Sequence, residues 1–157
     1  MPTARLKEFL DSHNVKYVTL EHSKAFTAAE IAALAHVPGR EMAKTVMVDV
    51  DGHMAMAVLP ASLRVSFDQL RAAIGAQTVV LSNERDFVER FPGCEVGAMP
   101  PFGNLYGMEV YVADSLARQD EIAFNAGTHT EVIRMAWADY ERLVQPLVMD
   151  FAVARPL

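Results

Sequence analysis

The stretch AKTVMVDVDGHMAMAVL, residues 43–59, decides the fold of this chain. Two runs of β-type residues, Ala43–Val50 and His53–Leu59, stand on either side of the dipeptide Asp51-Gly52. An Asp-Gly pair between two such runs is the signal of a two-residue hairpin turn. The pattern therefore predicts an antiparallel β-hairpin that turns at residues 51 and 52.

Shorter patterns on both sides of the hairpin predict further strands and helices. We expect strands at 17–20, 79–81, 109–113, 121–125 and 131–135, and helices from the N-terminus to about residue 14 and over 27–35, 66–74, 83–91 and 139–144. Thr27 and Glu30 form a capping box, and Gly75 is a C-terminal stop. Strands and helices alternate irregularly, so we predict an α/β fold of the α+β kind, a mixed sheet with helices packed on it. No repeat or Gly/Ser-rich linker divides residues 1–157, which we expect to form one domain.

The composition is that of a globular protein able to bury a core, with 52% hydrophobic and 22% charged residues among 157. The single cysteine, Cys94, cannot form an intrachain disulfide, which agrees with a reducing compartment. The N-terminal residues have no apolar region of the signal-peptide type, and no window approaches 18 uninterrupted apolar residues. We therefore expect a soluble, cytoplasmic protein with no membrane partner.

The formal net charge of −6 argues against a general nucleic-acid-binding protein, which would normally present a basic face. Residues 1–83 carry eight basic and eight acidic side chains, whereas residues 84–157 carry six basic and twelve acidic ones. A polyanion would have to approach the first half of the chain. DNA is not an expected partner.

Lys44 is the residue that fits its predicted strand least well. Side chains alternate faces along a strand, so Lys44 shares a face with Val46 and Val48, which should point to the core. A buried ammonium is costly unless it is paired, and a lysine in this row therefore needs a reason. Either its long side chain reaches water from the start of the strand, or the cation has a function.

Two glycine-bearing loops could supply the rest of a site. Gly97-Ala98-Met99-Pro100-Pro101-Phe102-Gly103 is stiffened by its two prolines, and Ala126-Gly127-Thr128-His129 follows the strand at 121–125. Such loops can direct backbone N–H groups at an oxyanion or a phosphate. On composition alone, the simpler interpretation is that both are turns.

Several catalytic motifs are missing from the sequence. It contains no Gly-x-Ser-x-Gly elbow, no phosphate-binding Walker loop and no Gly-x-Gly-x-x-Gly. Its five histidines show no metal-ligand spacing, so we expect neither a metal nor another cofactor. Cys94 is better explained as a buried small residue than as a nucleophile.

Three segments taken in order resemble the YbaK/prolyl-tRNA synthetase-associated editing domain family, and most of all its free-standing, YeaK-like members. They are Ala43-Lys44-Thr45-Val46, the loop 97–103 and the segment 120–127, which includes Phe124-Asn125-Ala126-Gly127. The resemblance covers nearly the whole chain. It implies a mixed, partly barrel-like sheet surrounded by helices, and hydrolysis of the ester that links a wrong amino acid to tRNA. It also implies assistance by a ribose hydroxyl of the tRNA.

The resemblance assigns roles to individual residues. Lys44 matches the essential lysine of the family, Gly97 and Pro101 match its Gly-x-x-x-Pro loop, and Gly127 with His129 matches a pocket-forming segment. Met99 and Pro100 lie on the same matched loop, and with Pro101 they offer bulk and stiffness rather than charge. We therefore expect a pocket for alanine, serine or threonine.

Two other functions remain open on the sequence. One is a non-catalytic module that binds tRNA or an aminoacyl-tRNA synthetase. The other is a hydrolase of a small nucleotide or ester unrelated to tRNA. The implied partners of the deacylase are the 3′ end of aminoacyl-tRNA and a synthetase.

Overall fold

The computed structural model describes residues 2–21, 32–33, 36–95 and 97–154. The strands are β1 (Tyr17–Glu21), β2 (Met42–Val50), β3 (His53–Pro60), β4 (Leu63–Val65), β5 (Val79–Leu81), β6 (Val110–Ala113), β7 (Glu121–Asn125), β8 (Glu131–Ala136), β9 (Leu147–Met149) and β10 (Ala152–Ala154). The helices are α1 (Pro2–Ser12), α2 (Phe67–Ile74), α3 (Glu84–Val88), α4 (Asp114–Ala117) and α5 (Trp137–Val144), and a 3₁₀ turn covers Gly103–Leu105. The helix predicted over 27–35 falls mostly outside the described residues.

The predicted hairpin is confirmed as the longest strand pair. β2 and β3 are antiparallel, and their register runs from Ala43 opposite Pro60 to Val50 opposite His53. Asp51 and Gly52 both have positive φ, 48° and 86°. These values are those of a type I′ turn, whose twist matches that of the strands it joins. The turn therefore fixes which side chains of the two strands share a face.

Eight of the described strands form one mixed sheet in the order β1-β8-β7-β2-β3-β6-β9, with β5 paired to the end of β2. The pairs β7 with β2, β3 with β6 and β6 with β9 are parallel, and the others are antiparallel. Strands β4 and β10 form a separate two-stranded sheet. Among the described strands, β1 and β9 are the two ends of this order and do not pair with each other. The mixed sheet with helices predicted from the sequence is confirmed.

Both faces of the central hairpin are buried. Val48 lies in a core with Leu59 and Leu70, which confirms that the valine row points inward. Met47, on the opposite face, is equally buried in a larger core. The larger core contains Leu6 and Leu10 of α1 and the ring cluster of Phe102, Phe124 and Tyr140. The hairpin is therefore the middle layer of the molecule, as expected for strands that are apolar on both sides.

Two of the predicted helices show how caps and packing set helix length. In α2, the Ser66 side chain accepts from the amide of Gln69 and Gly75 adopts a left-handed conformation, so both predicted ends are confirmed. The helix predicted over 83–91 is wrong in length, because α3 ends at Val88. Its described side chains are exposed, and a short helix without a packed face gains little stability.

The short strands β4, β9 and β10 and the helix α4 were not predicted. The three strands have three residues each, and their partners are distant in sequence: β10 pairs with β4, and β9 pairs with β6. Three residues are too few to show an alternation of polar and apolar side chains, and of the described three-residue strands the sequence indicated β5 alone. In the described part of the chain, no helix is long and apolar enough to cross a membrane.

Gly103 ends the loop 97–103 and is a site of close packing. A Cβ atom there would lie 2.5 Å from the Met108 carbonyl oxygen and 2.6 Å from a Val110 methyl group. Overpacking of this kind costs about 1–3 kcal/mol. Gly103→Ala should therefore lower the melting temperature by roughly 3–10 °C in a thermal unfolding experiment.

The matched control for this prediction is Gly39→Ala. A Cβ atom at Gly39 would meet Ser62 at an ordinary 3.7 Å, so this variant should melt close to the wild type. Equal melting temperatures for the two variants would contradict the close packing at Gly103.

Candidate active site

Lys44 lies near the start of β2, where its side chain is half-buried. Its Nζ atom donates a hydrogen bond of 3.4 Å to the carbonyl oxygen of Ala61. Ala61 follows β3, and its amide donates to the Met42 carbonyl at 2.7 Å. The turn after β3 is therefore tied to β2 and holds an acceptor next to the ammonium group. This geometry keeps the cation near the start of β2 rather than deep in the core.

The loop with the two prolines is held against the core. Residues 98–103 are buried, and the Met99 side chain, only 5% exposed, belongs to the larger core. The hydroxyl of Tyr140 in α5 donates a hydrogen bond of 2.7 Å to the Pro101 carbonyl. Tyr140 is fully buried, and burial raises the pKa of its hydroxyl, which therefore stays protonated and able to donate. The hydrogen bond from Tyr140 to the Pro101 carbonyl anchors the loop backbone to the core and makes the loop rigid.

The second loop joins the first through backbone hydrogen bonds. The Gly127 amide donates to the Ala98 carbonyl, and the Glu95 amide donates to the Gly127 carbonyl, both at 2.9 Å. Gly127 has a φ of 105°, a conformation that side chains rarely permit. Because its N–H and C=O groups are both engaged inside the protein, Gly127 contributes its conformation and its lack of a side chain. It does not contribute a free amide donor.

Gly97 and His129 meet where the two loops join. A Cβ atom on Gly97 would lie 3.5 Å from Cε1 of the His129 ring. Gly97 itself has a positive φ of 85°. The His129 amide donates to Oε1 of Glu95 at 3.2 Å, and the residue is only 4% exposed. The structure therefore brings together Gly97 of the first loop and Gly127 and His129 of the second, which the sequence singled out.

The pairing of β2 with β7 brings Lys44 to the same place. Met42 pairs with Ala123 and Ala43 with Phe124 in parallel, so Lys44 follows this ladder by one residue, just as Asn125 does on β7. β5 pairs with the same edge of β2 from Val48 onward. Among the described strands, none pairs with this edge of β2 between Lys44 and Met47. This gap in the sheet lies where the loop 126–129 leaves β7, and it is the candidate active site.

Sequence reasoning gave no role to three residues that shape this site. Glu95 connects the two loops through its amide and its carboxylate, and no motif indicates it. Tyr140 holds Pro101 from a helix that is distant in sequence. Asn125 is buried at the end of β7, where a polar residue after an apolar strand could have been noticed. The first two depend on tertiary contacts that a sequence pattern does not carry.

Cys94, next to this region, is half-buried. Burial raises the pKa of its thiol, and a hydrogen bond with Tyr106 lowers it by less. A thiol with a raised pKa holds little thiolate at neutral pH and is a poor nucleophile. Among the described residues, no group of three or more His, Cys, Asp or Glu side chains is placed to hold a metal ion.

Residues 22–143 match the family model of the aminoacyl-tRNA editing domain. The chain belongs to this family. The match contains Lys44, both loops and Tyr140, that is, every residue from which the candidate site is built. The family resemblance drawn from the sequence is confirmed.

Relatives and solved structures agree with the family. The multifunctional Ser/Thr-tRNA deacylase ProXp-y of Escherichia coli strain K12 is 29% identical over 153 residues, which cover 94% of this chain and 90% of that protein. A structure described as a candidate trans-editing enzyme for prolyl tRNA synthetase has a TM-score of 0.81 at 19% identity and covers 98% of this chain and 99% of its own. The hypothetical protein APE2540 has a TM-score of 0.84 at 20% identity, with coverages of 95% and 99%. At these identities the two structures show a shared fold.

The contact between Glu95 and the second loop can be tested directly. Glu95→Ala removes the oxygen that accepts from the His129 amide, so exchange of the peptide amides around His129 should become several-fold faster. Hydrogen exchange followed by mass spectrometry measures this. Glu95→Gln keeps an acceptor oxygen and should exchange like the wild type. Unchanged protection in Glu95→Ala would mean that the two loops hold together without this side chain.

Proposed function

We propose that this chain is a deacylase that frees tRNA from wrongly attached small amino acids, with Lys44 as its catalytic residue. The expectation of a hydrolase acting on aminoacyl-tRNA is confirmed by the family match and by the deacylase relative. The observation that carries the assignment to this site is the placement of Lys44. A half-buried cation stands at a gap in the sheet that is bordered by two rigid, glycine-bearing loops.

The reaction requires little chemistry from the protein. Water attacks the carbonyl carbon of the ester, the carbon–oxygen bond to the ribose breaks, and the products are the free amino acid and tRNA with its 3′-terminal hydroxyl restored. An aminoacyl ester is already activated, so no protein nucleophile is needed. The site has to position the ester and a water molecule and to stabilise the negative charge that develops on the carbonyl oxygen.

Lys44 suits the electrostatic part of this task. Its ammonium group carries a positive charge and three N–H donors, which suit it to bind the terminal phosphate or the developing oxyanion. The half-buried location strengthens the attraction relative to open water. Gly97, Gly127 and His129 form the wall opposite, where a glycine permits close approach of the substrate backbone.

The proposed amino-acid pocket accepts small side chains only, because its wall is a rigid loop that cannot move aside for large ones. Pro100 and Pro101 fix two backbone torsions, and Tyr140 holds the second proline from the core. Met99 supports the loop from inside the larger core. A rigid wall excludes large side chains by steric clash, whereas a hydroxyl added to a small side chain is easily accepted. The serine and threonine in the name of the Escherichia coli relative agree with this size limit.

The further partners follow from the substrate. Aminoacyl-tRNA presents its 3′ end to the site, and a synthetase that releases mischarged tRNA is the proposed protein partner. We place the protein in the cytoplasm, where these molecules occur, and regard residues 1–157 as one editing domain. With a net charge of −6, the chain should bind tRNA weakly and lose affinity as salt increases.

The role of Lys44 predicts a specific loss of activity. Lys44→Ala should reduce single-turnover deacylation about a hundredfold or more, the usual effect of removing a group that stabilises an oxyanion. Its melting temperature should stay near that of the wild type, because the variant removes a charge from an apolar row. Lys16→Ala, which removes an exposed lysine outside the site, is the control and should remain active. A folded Lys44→Ala protein with wild-type turnover would refute the mechanism.

The pocket predicts a substrate range. We expect hydrolysis of alanyl-, seryl- and threonyl-tRNA and almost none of phenylalanyl-tRNA, measured as single-turnover rates at one salt concentration. Preference for an aromatic or charged amino acid would disprove the small pocket. Failure to hydrolyse any of these tRNAs, with retained binding, would instead establish the non-catalytic binding module.

A further inference from the structure

Asn125 is a buried polar residue with an unused acceptor. It is the last residue of β7, is 6% exposed, and its Oδ1 atom has no hydrogen-bond partner within the described residues. Buried amide oxygens nearly always accept a hydrogen bond, so one that does not needs an explanation. A ligand that brings a donor to this point would supply the missing bond.

The register of the sheet places Asn125 on the face of Lys44. Asn125 pairs with Val132 on β8, Val132 pairs with Leu20 on β1, and on the other side Lys44 pairs with Leu59 on β3. The parallel ladder of β7 and β2 ends at Ala43 with Phe124, and carrying its register forward by one residue puts Asn125 opposite Lys44. Paired strands are spaced about 4.8 Å apart. In this row across five strands, Asn125 and Lys44 are the two polar side chains. They stand side by side at the gap in the sheet.

We propose that Asn125 is a specificity-determining residue that hydrogen-bonds the side-chain hydroxyl of serine or threonine carried by the tRNA. The assignment rests on the proposed function, because it takes Lys44 as the residue that holds the ester end of the substrate. With the ester at Lys44, the side chain of the amino acid lies toward β7. There the Oδ1 atom of Asn125 can accept a hydrogen bond from it. A hydroxyl both donates and accepts, so it can engage the amide group by either end.

The positive charge of Lys44 favours a hydroxyl as the group that binds Asn125. The other donor of the substrate, its α-ammonium group, is disfavoured there. An ammonium bound to Asn125 would lie beside the Lys44 ammonium, in a half-buried site where repulsion between like charges is strong. A neutral hydroxyl meets no such repulsion. The same oxygen left without a donor disfavours alanine relative to serine, because the acceptor then stays buried and unpaired.

The test compares three substrates with one variant. Asn125→Ala should lower kcat/KM for seryl- and threonyl-tRNA by about ten- to a hundredfold, the range for a lost bond in a buried site. Alanyl-tRNA has no hydroxyl to lose, so its kcat/KM should stay within about threefold of the wild type. The readout is the ratio of seryl to alanyl activity, which a general loss of folded protein does not change.

Val132→Ala is the matched control, since it trims a buried apolar side chain of the same row and should change all three substrates by a similar factor. Asn125→Leu, which replaces the amide by an apolar group of similar size, should reproduce the altered ratio. An equal fall for all three substrates in both Asn125 variants, or an unchanged ratio, would overturn the assignment. A wild-type protein that hydrolyses none of the three would overturn the proposed function itself, and this assignment with it.

Discussion

The parallel pairing of β2 with β7 is the contact on which the arrangement of the candidate site depends. It consists of two register pairs, Met42 with Ala123 and Ala43 with Phe124, supported by a hydrogen bond of 2.9 Å from the Ala123 amide to the Glu41 carbonyl. Parallel strands cannot be joined by a tight turn, and the connection from β2 to β7 contains the strands β3 to β6. This pairing brings Lys44 next to a loop more than eighty residues further along the chain.

The shortness of that ladder is what creates the candidate site. β7 ends at Asn125, the chain turns away at Gly127 through a positive φ, and β5 occupies the edge of β2 only from Val48 onward. Ser82 fixes this second boundary, because its amide donates to the Met47 carbonyl and its hydroxyl to Asp49. A sheet edge shared by two strands leaves an interval between them, and at this interval the side chains of Lys44, Thr45 and Val46 are half-buried.

The sequence predicted the features that depend on residues close together in the chain. The hairpin, the caps of α2 and the face on which Lys44 lies follow from a turn dipeptide, two cap residues and the alternation of side chains along a strand. The strands β4, β9 and β10 and the contacts of Glu95 and Tyr140 depend on partners that only the assembled fold supplies. The proline loop could be recognised by resemblance, but its rigidity comes from a buried hydroxyl on a helix forty residues away. The roles of the individual site residues remain predictions.

The residues that violate local rules are concentrated at one end of β7. A lysine stands in a valine row, and an asparagine with an unused oxygen ends an apolar strand, next to the loop in which Gly127 takes a positive φ that favours glycine. A buried acceptor without a partner costs about 1–3 kcal/mol, which an apolar residue at the same place would avoid. The rest of the hairpin obeys its patterns on both faces. Because such costs persist where function requires them, their concentration at the gap between β7 and β5 is itself a physical argument for where the substrate binds.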